Sequence, residues 1–275
     1  MLSYQHAYHA GNFADVHKHA IFALVLGYAL AKEKPLACYD LYAGRGCYDL
    51  NDAMANKTGE ASGGIRRLWN QPWPDLLQPW RQLLEGVGGA SLRLYPGSPL
   101  LAAKLLRPQD RLILNELHPA EYRVLAESCR YDSRVKLHKR PALEALPALL
   151  PPAEKRGLVL LDPAYEIKTE YAEVADAVAK ALRQWAGGTF LVWYPLLAEK
   201  RHRVLVDRLL ALTPKHLLCE LVVGSGSGEG MYGSGMIVLN PPFVLAGQLH
   251  QLASFFAPLG VDGPASLRIE TGAGL

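Results

Sequence analysis

The sequence predicts an α/β fold built on an open, mostly parallel sheet, and three observations carry that expectation. Apolar strand-like runs alternate with helix-like stretches along most of the chain. Two loops, Asp40-Leu41-Tyr42-Ala43-Gly44-Arg45-Gly46 and Asp162-Pro163-Ala164-Tyr165, each follow such a run, Leu36-Ala37-Cys38-Tyr39 and Leu158-Val159-Leu160-Leu161. Both loops therefore belong at the C-terminal ends of parallel strands, where open α/β sheets bind their ligands. With 275 residues, 50% apolar and 20% charged, the chain has the composition of a globular protein and enough length for one large core; residues 1–275 are read as a single domain.

Element by element, a helix is expected over 14–31, stopped by Pro35, and a strand over 36–41. Further strands follow at 111–116, 134–138, 157–162, 189–194, 217–223 and 235–240, which makes seven, with helices at 119–130, 171–186 and 198–212. One spacing departs from a plain dinucleotide fold, where the acidic residue for the ribose hydroxyls lies about 20 residues past the glycine loop. Here the candidate is Glu116, so about fifty residues have been inserted. The insert, approximately 49–95, reads as a small helical subdomain that carries Trp69, Trp73 and Trp80 beside Arg66, Arg67 and Arg81. The tryptophans suit packing onto the main sheet, and the arginines remain available to a nucleic acid. The glycine-rich run 224–235 lacks the Gly-Lys-Ser/Thr ending of a phosphate loop and reads as a flexible connection between the last two strands.

No apolar run reaches the roughly 20 residues that span a bilayer, and the N-terminus lacks a basic stretch followed by an apolar one, so a cytoplasmic protein is expected. Cys38, Cys47, Cys129 and Cys219 show no paired spacing and read as reduced thiols. A net charge of +3 permits a nucleic-acid partner but suits a small anionic substrate equally. His6, His9, His17 and His19 crowd the N-terminus, but no cysteine or carboxylate cluster completes a zinc site, so no metal is expected.

The order Asp-x-x-Ala-Gly-x-Gly then Asp-Pro-x-Tyr resembles the amino-group methyltransferases that use S-adenosylmethionine. More narrowly, the chain resembles the RlmJ-type 23S ribosomal RNA adenine-N6 methyltransferases in Met1-Leu2-Ser3-Tyr4-Gln5-His6-Ala7-Tyr8-His9-Ala10-Gly11-Asn12, Asp15-Val16-His17-Lys18-His19, Tyr95-Pro96-Gly97-Ser98-Pro99, Glu116-Leu117-His118-Pro119 and Trp193-Tyr194-Pro195. The resemblance runs from residue 1 to about 243. It implies a Rossmann-like class I methyltransferase with a seven-stranded mixed sheet whose last strand inserts antiparallel, S-adenosylmethionine as cofactor, and 23S rRNA, protein-free or early in assembly, as partner. No membrane and no obligate protein partner is implied. The target would be the N6 of one adenine, by the resemblance number 2030 of that RNA. A DNA adenine methyltransferase, or a nucleic-acid-binding protein needed for use of external DNA, is the alternative. A nicotinamide-dependent oxidoreductase would want glycine where Asp49 stands.

The adenine N6 is a poor nucleophile because its lone pair is delocalised into the ring, so two acceptors must take its hydrogens and aim the lone pair. Asp162 and the Pro163 carbonyl are the candidate acceptors, and Tyr165 is the candidate plate for the extruded base. The family usually has Pro-Pro here; Ala164 removes one fixed φ. Asn240-Pro241-Pro242-Phe243 fits the tetrapeptide better, but follows the strand assigned as antiparallel and so belongs at the far edge of the sheet. For the cofactor, Gly44 and Gly46 allow close approach, Asp40 anchors the loop or the amino group, and Glu116 takes the ribose hydroxyls. The resemblance adds Lys18, His19 and Ser98 around the methionine carboxylate and Tyr42 in the loop. It also puts a tail with Tyr4, His6 and Lys18 over the target nucleotide, leaves His9 and His17 to capping and packing, and aligns Pro141 with an acid that reaches the cofactor adenine.

Overall fold

A computed structural model describes residues 5–226 and 230–273. Helix α1 (Phe13–Leu30) precedes β1 (Ala37–Asp40). The chain then forms β2 (Cys47–Asp49), α2 (Ala53–Thr58), α3 (Ile65–Leu68), α4 (Gln78–Gly88), β3 (Leu94–Pro96) and α5 (Ser98–Leu105). From there strands and helices alternate: β4 (Arg111–Asn115), α6 (Pro119–Cys129), β5 (Val135–His138), α7 (Ala142–Leu149), β6 (Gly157–Leu161), α8 (Glu170–Gln184), β7 (Thr189–Leu197), α9 (Arg203–Leu210) and β8 (His216–Val222). The chain closes with β9 (Met231–Leu239), α10 (Leu245–Gln251), α11 (Ala253–Phe256) and β10 (Ser266–Thr271).

The main sheet has the order β10-β8-β9-β7-β6-β1-β4-β5. Strands β5, β4, β1, β6 and β7 run parallel, and β9 lies antiparallel between β7 and β8. The expected antiparallel insertion is therefore present, but the sheet has eight strands and not seven. The eighth, β10, pairs antiparallel with β8 at the edge. Its sequence, Ser266-Leu267-Arg268-Ile269-Glu270-Thr271, alternates with one face open to solvent, a weak signal because an edge strand covers only one side.

Two corrections concern the glycine run. Strand β9 begins at Met231, well inside it, and residues 227–229 lie outside the described residues. Gly235 sits opposite Tyr194 on β7, where a Cβ would come within 2.2 Å of the Tyr194 ring. Glycine there admits the ring, so half of what reads as a flexible connection is cross-strand packing.

Asn12 caps α1 by accepting from the Asp15 amide at 2.9 Å. By length and composition α1 could cross a membrane, but 72% of it is buried inside the protein, as a core helix against the sheet. Strands β2 and β3 pair antiparallel at the base of the insert. Trp80 is fully buried and meets Trp73 at 5.2 Å, which in turn meets Phe255 of α11 at 5.0 Å. Two of the insert's arginines hold it together internally: Arg81 lies 3.5 Å over Trp69 and donates to its carbonyl, and Arg66 donates to Leu50 and Asn51. Arg67 reaches the Gly260 carbonyl at 3.2 Å.

Candidate active site

Both ligand loops emerge side by side, because β1 and β6 are neighbours in the sheet. They separate two cavities of about 480 Å³ each. The first is lined by the glycine loop (Tyr42, Ala43, Gly44), Ser98, Glu116, His19 and the start of α7. The second lies beyond the Asp162-Pro163 loop and is lined by Phe13, Glu60, Arg67, Pro163 and Trp193, among others. His6, Lys18 and Asp162 line both, so these three side chains form the wall between the cavities.

That wall is a buried charge chain. His6 Nε2 and Asp15 Oδ2 are 2.9 Å apart, Asp15 Oδ1 is 2.9 Å from the Lys18 ammonium, and Lys18 donates to Asp162 Oδ2. The Gly11 amide also donates to Asp15 Oδ2, at 2.8 Å. Burial opposes the Lys18 charge, but Asp15 and Asp162 outweigh it and lift the pKa above the usual lysine value. Burial likewise opposes the Asp15 carboxylate, and His6 with Lys18 outweighs it, holding its pKa well below the usual range. Asp15 entered the sequence reading only within a motif, with no role assigned; its signal was the i, i+3 spacing to Lys18 on a capped helix.

On the cofactor side, Gly44 has φ +62° and a Cβ there would stand 2.3 Å from the Tyr48 hydroxyl, so the loop can hold this path only with glycine. The Gly44 amide donates to Glu116 Oε2 at 2.8 Å and the His118 amide to Oε1 at 2.6 Å. Burial raises the Glu116 pKa against the pull of those amides. Arg45 binds Glu121 through two hydrogen bonds, at 2.8 and 2.6 Å, and ties the loop to α6. Asn115 donates to the carbonyls of Leu41 and Arg140, and so joins the loop to the start of the β5–α7 connection. His19 is stacked on Tyr95 and shares a 2.7 Å bond with its hydroxyl; burial lowers its pKa to about 3, so the ring is neutral. Among the described residues, no three His, Cys, Asp or Glu side chains converge as metal ligands would.

Several assigned residues stand elsewhere than expected. Asp40 and Gly46 line neither cavity. Asp40 is fully buried under the loop, accepts from the Tyr42 amide at 3.3 Å, and has its Oδ2 unpartnered. Burial raises its pKa to about 7, the Ser98 hydroxyl and the Tyr42 amide only partly offsetting it. Tyr165, expected as the plate for the base, lines neither cavity. With φ +52° its ring turns into the core, stacks on Tyr171 at 4.2 Å, and donates its hydroxyl to the Trp193 carbonyl at 2.8 Å. The aromatic side chains that line the second cavity are Trp193 and Phe13. Tyr4 lies outside the described residues. His9 bonds Glu60 of the insert at 2.7 Å, and His17 is buried among Ser234 and Cys219. Pro141 lines the first cavity as expected from its alignment, together with Ala142, Leu143 and Glu144 of α7.

Asn240 follows β9, whose direction carries it to the opposite edge of the sheet, where its amide donates to Ala186 and Gly188 at 2.9 and 2.8 Å. It closes the α8–β7 turn and lines neither cavity.

Five adjacent parallel strands, an antiparallel strand inserted between the fifth and a sixth of the same direction, and a glycine loop leaving the central strand toward an acid that follows the next define a Rossmann-like class I methyltransferase. The family model described as "Ribosomal RNA large subunit methyltransferase D, RlmJ" matches residues 33–266, and the chain belongs to that family. A protein of Escherichia coli (strain K12) named ribosomal RNA large subunit methyltransferase J is 40% identical over 92% of this chain and 91% of its own. The protein of that name from Haemophilus influenzae is 39% identical over 98% of each. The crystal structure of a Legionella pneumophila protein, 36% identical, superposes with a TM-score of 0.88 over 96% of this chain and 99% of its own.

Proposed function

We propose that this methyltransferase transfers a methyl group from S-adenosylmethionine to the N6 of one adenine in 23S rRNA, adenine 2030 by family resemblance. The observation that carries the reading is the shared wall: His6, Lys18 and Asp162 face a glycine-loop cavity on one side and an aromatic-lined cavity on the other. When bound, the cofactor supplies an electrophilic methyl on a sulfonium. Gly44, Ser98, His19 and Glu116 would hold it in the first cavity, Asp40 would fix the loop from beneath, and Glu144 at the start of α7 stands where an acid could meet its adenine in place of Pro141.

The target adenine would enter the second cavity. Asp162 and the Pro163 carbonyl would accept its two N6 hydrogens and direct the lone pair past the wall toward the first cavity, where the cofactor's methyl would lie. Lys18 fixes the Asp162 carboxylate by a hydrogen bond, and the excess proton on the alkylated amine would leave through that carboxylate, the proposed acceptor of one N6 hydrogen. His6 faces the nucleotide, and the 49–95 insert, through Glu60 and Arg67, forms the outer side of the cavity.

Incubation of the purified protein with labelled S-adenosylmethionine and separate pools of 23S RNA, 16S RNA and DNA tests the proposal. Label should appear only in 23S RNA, as N6-methyladenosine, and vanish with Asp162→Ala. Label in DNA or 16S RNA instead would overturn it.

A further inference from the structure

Tyr165 stacks on Tyr171 and lines neither cavity. Trp193 lines that cavity beside Asp162 and Pro163, and the Lys18 ammonium lies 5.9 Å from its ring centre. Its orientation is set from behind by a chain of hydrogen bonds. The indole Nε1 donates to Ser234 Oγ at 2.9 Å. His17 Nδ1 lies 3.0 Å from the same oxygen, and His17 Nε2 lies 3.3 Å from Cys219 Sγ.

An indole N–H can only donate, so Ser234 Oγ accepts from Trp193, and the same oxygen also bonds His17 Nδ1. Burial lowers the His17 pKa to about 3, which keeps the ring neutral, and His17, Ser234 and Cys219 are all fully buried. A chain of three buried polar groups behind one half-buried aromatic costs more than an apolar core would, unless the ring must be held in one orientation. Phe13, the other aromatic lining the cavity, has no polar atom to be held by.

We propose that Trp193 is the stacking surface for the substrate nucleobase, and that Ser234, His17 and Cys219 are positioning residues that hold its indole plane. This rests on the reading of the second cavity as the nucleotide site.

The test uses steady-state methylation of 23S RNA, S-adenosylhomocysteine affinity, and tryptophan emission titrated with adenosine monophosphate. Trp193→Ala should lower kcat/KM for RNA by about ten- to hundredfold, the range of one base–aromatic stack, mostly through KM. Its S-adenosylhomocysteine affinity should stay within about twofold, and Trp193→Phe should recover most of the loss. Ser234→Ala, which leaves the indole N–H without its acceptor, should show a smaller rise in KM. In the wild-type protein adenosine monophosphate should quench emission, and in Trp193→Phe it should not. The inference is overturned if wild-type emission is unchanged at a concentration that inhibits RNA methylation, or if Trp193→Ala matches wild type in KM, or loses cofactor affinity and RNA activity in parallel. Wild-type transfer to RNA, measured alongside, reports separately on the reading of the site.

Discussion

Replacing Lys18 by methionine keeps the length of the side chain and removes the charge from the wall between the cavities. Lys18 is 5% exposed, Asp15 1% and Asp162 15%, so the substitution leaves two carboxylates facing each other with little water. Breaking a buried ion pair by removing one partner costs about 3–5 kcal/mol. With an unfolding entropy of about 2.1 cal/mol/K per residue, a chain of 275 residues loses about 5–9 °C of Tm for that cost. Activity should fall more steeply, by at least about a hundredfold, because Asp162 loses the group that orients it. The stability deficit also has a pH signature. The depressed Asp15 pKa gives stability that is present above the unfolded value of 3.8 and lost as pH falls through the folded value. Lys18→Met forfeits part of that contribution, so its deficit should be largest above about pH 5 and narrow toward pH 3. Thermal unfolding from pH 3 to 8, with methyl transfer at pH 7.5, reads both effects. A variant that melts within about 2 °C of wild type at every pH and keeps its rate would show that Lys18 is solvated and that the buried wall does not exist.

Asn240→Ala should cost about 2 kcal/mol, through two lost hydrogen bonds and a φ of +53°, while methylation stays within about threefold of wild type; Asn240→Gly recovers the backbone part. Asp40, raised to about 7, makes a contribution that is present below 3.8 and lost as pH rises through 7. Asp40→Asn should therefore flatten the fall in stability between pH 4 and 7 and raise stability at pH 8 by on the order of 4 kcal/mol at most, read as a higher Tm; a variant less stable than wild type at pH 8 would refute this. At a hundred times its Kd a ligand adds about 2.7 kcal/mol of stability. For S-adenosylhomocysteine, Gly44→Ala should lose at least half of that shift because its Cβ meets the Tyr48 hydroxyl, and adding Tyr48→Phe should return part of it.

The two tetrapeptides show how much was legible in the sequence. Asp162-Pro163 could be placed at a cavity because an apolar run of parallel-strand character precedes it, and Asn240 was set aside because strand direction decides at which edge a loop emerges. Both are statements about chain order and local pattern, which a sequence holds directly. The packing of Tyr165 was not legible, because a tetrapeptide names its residue types but not their φ, and at +52° the ring stacks on Tyr171. Trp193 could be read only as part of a motif, since what gives it a role is the Ser234–His17–Cys219 chain behind it.

The sequence by itself determined the α/β class, the strand ends whose loops line the cavities, the long stretch between Gly46 and Glu116, and the family. These follow from periodicity, spacing and local motifs, in which each residue is judged by its neighbours along the chain. The tertiary structure decided the eighth strand, the burial of Asp40, and the chain from His6 through Asp15 and Lys18 to Asp162. Lys18 and Asp162 stand 144 positions apart, and only the packing of α1 beneath the sheet brings them to one wall. Their charges are stable there because each is surrounded by the others in place of water, a condition that no local pattern can express.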